Sequence, residues 1–200
     1  PKRQPLFNEP DPSYGGAVWG KVVPELTGAN VAFAVRARVC LLRDLGAPLA
    51  PDNAWGIIQG LETAPLRMKQ HMKNAEIVAN FLKNHSKVNY VSWAGFKENR
   101  YHKLGKKYLK YGFGSVFTFS VNRGYQGAIT LVESCNLLSH LANVGDTRSL
   151  IVHPASTTHR QLSEEQKEKA GVNDSIIRLS IGLESYKDII SDLDGALSTI

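Results

Sequence analysis

The sequence predicts an α/β protein: a sheet of about four strands covered by helices over residues 86–200, reached through one long helix. Three observations carry this. From Leu66 to Asn84 the apolar residues recur at helical spacing. Beyond residue 86 the hydrophobic period changes from 3.6 to 2 in four short segments rich in β-branched and aromatic residues. Helical segments lie between and after those strands, an order that lays helices on a sheet.

Taken in order, Pro1 to Ser13 carries four prolines and little periodicity, and a proline stands where a translated chain would begin with Met. This predicts a connection inside a longer polypeptide. Thr27 to Leu45 holds Val31, Phe33, Val35, Val39, Leu41, Leu42 and Leu45 before Gly46 and Pro48, which predicts a largely buried helix with a glycine stop. Pro51-Asp52-Asn53 opens a second helical stretch through Leu61, whose glycines predict close packing, and Pro65 breaks or kinks the chain. Met68, Met72, Ala75, Ala79 and Leu82, widened by Val78 and Phe81, form the stripe of the long helix and are read as core. At 1.5 Å per residue that helix is about 28 Å long, enough to link two domains.

The predicted strands are Val88 to Trp93, Ser115 to Val121, Leu150 to His153 and Ile176 to Ile181. Gly127 to Leu141 is apolar and helical. Ser163-Glu164-Glu165-Gln166 has capping-box spacing with Gly171 as its stop, and Ser185 opens a last helix with Ile189, Ile190, Leu193, Ala196 and Leu197 inward.

At 42% hydrophobic and 21% charged residues, the 200-residue chain has a globular composition, and no apolar run reaches the length of a membrane span. Cys40 and Cys135 lack a second Cys or a His at metal-ligand spacing, so both read as core thiols in a reducing cytosol and no metal is expected. The net charge of +6 is uneven: from Lys97 to Lys110 stand six Lys and Arg residues against the single acid Glu98, interleaved with Tyr101 and Tyr108 and flanked by Phe96, Tyr111 and Phe113. Such a mixture can hold single-stranded nucleic acid, but with no stacking motif and a near-neutral remainder it reads as a solvated loop and short helix over a sheet edge, and no nucleic-acid partner is expected.

One residue points to chemistry. Strand alternation in Ile176-Ile177-Arg178-Leu179-Ser180-Ile181-Gly182 sets Ile177, Leu179 and Ile181 on one face and Ile176, Arg178 and Ser180 on the other. A guanidinium in an apolar strand needs a partner, and its planar fork matches a carboxylate. That carboxylate belongs either to a fixed Asp or Glu or to a ligand, and the spacing leaves both open. Asn143-Val144-Gly145-Asp146-Thr147-Arg148 is a turn that could face amides toward an anion or simply end a helix. His153 and His159, six apart, do not have the spacing of helical zinc ligands and read as loop residues.

Several runs carry a family resemblance: Asn8-Glu9-Pro10-Asp11-Pro12-Ser13-Tyr14, Leu41-Leu42-Arg43-Asp44-Leu45-Gly46, Gln59-Gly60-Leu61-Glu62-Thr63, Ser139 to Asp146 and the His153 to His159 loop. In this order they resemble the Cys/Met-metabolism family of pyridoxal-phosphate enzymes, most nearly its O-acetylhomoserine sulfhydrylases, and the likeness runs nearly end to end. The resemblance implies the carboxy-terminal portion of an aspartate-aminotransferase-type (fold type I) enzyme. Residues 1–65 would be the tail of a large cofactor domain and its connection, 66–85 the linking helix, and 86–200 a small α/β domain.

It further implies that Arg178 holds the α-carboxylate of the substrate amino acid, helped by Asn143. Relatives of the γ-synthase and γ-lyase type carry an acid where Arg148 stands, so the basic residue favours direct sulfhydrylation. The implied reaction replaces the γ-acetoxy group of O-acetyl-L-homoserine with sulfide, on pyridoxal 5'-phosphate, in a cytosolic tetramer serving methionine and cysteine biosynthesis. In the family the Schiff-base lysine follows a Ser-x-Thr-type motif ahead of the segment matching Pro1 to Tyr14, and no such motif stands there in this sequence. No catalytic residue is therefore expected in this chain. It reads as an inactive fragment, a cystathionine γ-synthase or γ-lyase relative being the alternative, as is a non-catalytic module that pairs with a cofactor-bearing chain.

Overall fold

A computed structural model describes residues 3–200, so of the segment from Pro1 to Ser13 only Pro1 and Lys2 lie outside the described residues. The chain divides into two compact units, one up to Gln59 and the other Gly60–Ile200.

The first unit is helical: α1 (Pro5–Asn8), α2 (Trp19–Thr27), α3 (Ala32–Arg36) continued by a π-helical stretch (Ala37–Arg43), and α4 (Pro51–Glu62), within which the division falls. Proline opens α1, where its missing N–H costs nothing, and left-handed Gly28 closes α2. Phe7, Trp19, Val23 and Ala32 form the buried cluster, flanked by Tyr14, Val35, Val39 and Cys40. Polar ties supplement it. Asp11 accepts from the Trp19 indole at 2.9 Å, and Asp44 accepts from the Tyr14 hydroxyl at 2.5 Å.

The predicted buried helix over residues 27–45 is corrected here. Only the stripe of Ala32, Val35, Val39 and Cys40 packs inward, while Phe33, Leu41, Leu42 and Leu45 are exposed. The wider π turn shifts the phase of the residues after Arg36, so apolar spacing that reads as one buried face is spread around the axis. The glycines of α4 differ from expectation too, since a Cβ at Gly56 or Gly60 would meet nothing within 4 Å.

In the second unit α5 (Ala64–Lys83) leads into β1 (Val88–Ser92), α6 (His102–Tyr108), β2 (Val116–Val121), α7 (Gly124–Ser134), β3 (Leu150–Val152), α8 (Glu164–Lys169), β4 (Ile176–Ser180) and α9 (Tyr186–Ser198). The strands form one four-stranded antiparallel sheet in the order β1-β2-β4-β3. All four predicted strands are present. α5, α7 and α9 supply helical residues to one core together with Phe117, Phe119, Val121, Ile151, Ile177, Leu179 and Ile181 from the sheet. Ser163 and Gln166 close the predicted capping box on α8, and Gly171 follows it at a φ of 70°.

The stripe of α5 is corrected at its amino-terminal end. Ala75, Val78, Ala79 and Leu82 are buried as expected, but Met68 is 38% exposed, and the buried positions above Ala75 belong to His71 and Asn74. Asp192 of α9 gathers the amides of Asn136, Leu137 and Leu138 at 2.8–3.1 Å, which ends α7 and leads the chain toward β3. No helix among the described residues is long and apolar enough to cross a membrane.

Candidate functional site

Arg178 lies in the middle of β4, paired across the ladders with Thr118 of β2 and Val152 of β3. Its neighbours Ile177 and Leu179 are fully buried in the core, so alternation points the guanidinium to the other face, where it is half-buried. One guanidinium N–H donates to the main-chain oxygen of Asn143 at 3.2 Å. Among the described residues it forms no ion pair with an Asp or Glu. Among the described residues no fixed carboxylate meets the fork, whose other N–H groups are able to donate.

The Asn143–Arg148 turn is built from its own side chains. The Asn143 amide oxygen accepts from the Val144 N–H at 2.8 Å, and its nitrogen donates to Asp146 at 3.2 Å. Asp146 also accepts from the Arg148 N–H at 3.0 Å. That backbone donor first, and the Asn143 amide second, hold the Asp146 carboxyl below the usual carboxylate range. Gly145 takes a φ of 74°, the left-handed conformation the turn needs. The turn is closed at its base where the Ser139 N–H donates to Ser149 and the Ile151 N–H to Ser139, both at 3.0 Å. Arg178 and Asn143 therefore meet, but through the peptide oxygen of Asn143; much of its amide is spent inside the turn. Arg148 is exposed at the rim, with no ion pair among the described residues.

Four residues that the sequence did not single out hold this turn beside β4. The Ser149 N–H and hydroxyl donate to the Glu184 carboxylate at 2.6 and 2.9 Å, and the same hydroxyl accepts from the Gly182 N–H at 2.8 Å. From α5, His71 Nδ1 donates to the Ile181 carbonyl at 2.6 Å, and the Asn74 amide donates to the Gly182 and Glu184 carbonyls at 3.1 and 2.8 Å. The signal for the last two was in the sequence: His71 and Asn74 are in phase with Ala75, Val78 and Leu82 on the buried face of α5. Ser149 and Glu184 carry no such signal.

The remaining candidates are structural. His153 is buried at the end of β3, where its Nε2 donates to the Asp174 carbonyl and its Nδ1 meets the Ser156 hydroxyl, both at 2.9 Å. Burial lowers its pKa from 6.5. His159 pairs with the Thr158 hydroxyl next to it. Cys135 is half-buried, and desolvation first, then Asp192, push its thiol up to about 12. In the basic segment His102 Nδ1 donates to the Ala94 carbonyl and the ring stacks on Phe113, anchoring α6, while Tyr108 and Tyr111 stay exposed. Among the described residues no three His, Cys, Asp or Glu side chains converge as a metal site.

Comparison with known proteins bears on this geometry. Residues 16–198 match the model of a family described as Cys/Met metabolism PLP-dependent enzymes. An O-acetyl-L-homoserine sulfhydrylase of Leptospira meyeri is 46% identical over 97% of this chain and 45% of its own length. A homocysteine synthase of Schizosaccharomyces pombe is 43% identical over 98% and 44%. The crystal structure of a protein described as an O-acetylhomoserine (thiol)-lyase from Campylobacter jejuni, carrying a pyridoxyl-lysine monophosphate, superposes with a TM-score of 0.85. It is 44% identical, over 98% of this chain and 45% of that one. The chain thus spans less than half the length of the curated relatives it matches.

Proposed function

The chain belongs to the Cys/Met metabolism family of pyridoxal-phosphate-dependent enzymes, and from that premise we propose that it is the substrate-binding carboxy-terminal part of an O-acetylhomoserine sulfhydrylase. The reaction replaces the γ-acetoxy group of O-acetyl-L-homoserine with sulfide and yields homocysteine and acetate. The observation that carries this is the guanidinium of Arg178, which rests against one peptide oxygen and has no ion-paired carboxylate among the described residues. A bidentate contact with the amino acid's carboxylate satisfies the remaining donors and fixes how the bonds at Cα stand.

The donor set suits that carboxylate, so Arg178 and the Asn143 turn are assigned to the substrate side of the reaction. When bound, pyridoxal phosphate supplies the electron sink for bond breaking along the substrate chain. Arg178 anchors the substrate at its carboxylate end, Asn143 limits the movement of the guanidinium, and Arg148 lies at the rim. A base at Arg148 favours the sulfhydrylase reading over the γ-synthase and γ-lyase alternatives, whose relatives bear an acid there. In this reading residues 1–65 belong to a larger cofactor domain, 66–85 link it to the 86–200 domain, and the enzyme is a cytosolic homotetramer.

The test is Arg178→Ala in the enzyme that carries this segment. The expected loss is about 100-fold in kcat/KM for O-acetylhomoserine, through a raised KM and slower turnover, with the cofactor's absorbance retained. Unchanged kinetics would remove Arg178 from the site.

A further inference from the structure

Arg178 sits on a strand and Asn143 in a turn, and the one hydrogen bond between them among the described residues, at 3.2 Å, does not alone hold the distance between the two elements. That distance is fixed four residues beyond Arg178. There the N–H groups of Gly182 and Leu183 donate to the Ser149 hydroxyl and the Thr147 carbonyl, both at 2.8 Å, while Glu184 turns its carboxylate back onto Ser149. The approach is as tight as backbone allows. A Cβ at Gly182 would stand 2.4 Å from the Arg148 carbonyl carbon and 2.5 Å from the Ser149 nitrogen.

His71 and Asn74 occupy the carbonyls of Ile181, Gly182 and Glu184, so the segment cannot shift without breaking bonds to α5. Ser149 is fully buried, and its hydroxyl both donates to Glu184 and accepts from Gly182. A carboxylate at 184 is the group that can take two donors from one residue at once. Were it removed, the buried hydroxyl and amide of Ser149 would lose their acceptor, and the turn would lose its tie to the end of β4.

We infer that Glu184, acting through Ser149, is a positioning residue that sets the separation of Arg178 from the Asn143–Arg148 turn and so the affinity of the site for the substrate carboxylate. Glu184 itself touches no substrate. The inference rests on the carboxylate reading of Arg178, and the experiment separates the two. Arg178→Ala, Glu184→Gln and Ser149→Ala are compared in two settings. In the first, O-acetyl-L-homoserine is titrated into this chain and followed by ¹⁵N NMR, with its carboxamide analogue as control. In the second, the KM for each substrate is measured in the cofactor-loaded enzyme carrying the segment.

Glu184→Gln keeps an acceptor for the Ser149 N–H but replaces the charge. It is expected to weaken O-acetylhomoserine about fivefold in both settings, to leave the KM for sulfide unchanged and to shift the melting temperature little. Ser149→Ala is expected to weaken O-acetylhomoserine to a similar degree, and combining the two adds nothing to that loss of affinity, because both cut one link. If Arg178→Ala weakens the ligand while Glu184→Gln and Ser149→Ala do not, the positioning role falls and the carboxylate reading stands. If Arg178→Ala has no effect, the carboxylate reading fails and takes this inference with it. If Glu184→Gln lowers the melting temperature and impairs both substrates equally, Glu184 is only a structural support and the inference is overturned.

Discussion

Residues 60–200 close a continuous core of 22 buried apolar residues on one face of a sheet, whereas up to Gln59 the buried cluster is Phe7, Trp19, Val23 and Ala32. In that first unit Phe33 is 71% exposed, Leu45 73% and Trp55 66%. Both regions are rich in helix, so helix formation by itself does not separate them. What differs is how much apolar surface each removes from water, and that term dominates stability. The first unit relies instead on local helix signals and polar ties such as Asp11 with Trp19 and Tyr14 with Asp44. The teaching is that two stretches of similar composition can differ sharply in how far they carry their own stability.

The largest effect should appear in hydrogen exchange. Amides of Phe119 and Leu179, in the ladder between β2 and β4, are expected to be protected roughly a thousandfold more than those of Leu41 and Leu42, where opening is local. Equal protection would erase the contrast. Next in size, Phe119→Ala should cost about 3–5 kcal/mol in denaturant unfolding of the second unit, while Phe33→Ala changes stability by no more than about 0.5 kcal/mol. A large cost at Phe33 would show that the first unit packs more than its exposed residues suggest.

The smallest effect is a pH dependence confined to the second unit. Burial lowers the folded pKa of His153 from 6.5, so the unfolded chain takes up the proton first. The contribution of His153 is therefore complete above pH 6.5 and is lost as pH falls from there toward the folded value. Melting temperatures between pH 7.5 and 5.5 should decline, and His153→Asn should flatten the decline; a slope that survives the substitution assigns it to other groups.

Much of the second unit was legible because strand signals are local: β-branched residues alternating at period 2 placed all four strands to within a residue or so at each end. That Arg178 lies on the face of β4 away from Ile177 and Leu179 followed from the same alternation. Less legible was what covers a face. The residues from Thr27 to Leu45 are apolar at nearly helical spacing, but spacing says nothing of a π turn or of how many neighbours lie against the helix. On α5 the apolar spacing includes Met68 at the stripe's open end, while the polar pair His71 and Asn74 hold the buried positions. The link from Glu184 to Ser149 spans 35 residues and joins two loops, so no window of sequence contains it.

The strand order gives the wall of the candidate site a particular freedom. β3 is a three-residue edge strand, and the turn ahead of it carries Arg148 outward, its N–H engaged by Asp146 and its side chain exposed. Residue 148 can therefore be exchanged between a base and an acid without rewriting any ladder, while Gly182, pressed against the backbone behind it, admits no replacement. In the proposed reading, drift in substrate preference and inheritance of the fold are thus written at neighbouring but separate positions, and a lineage can edit the first without touching the second.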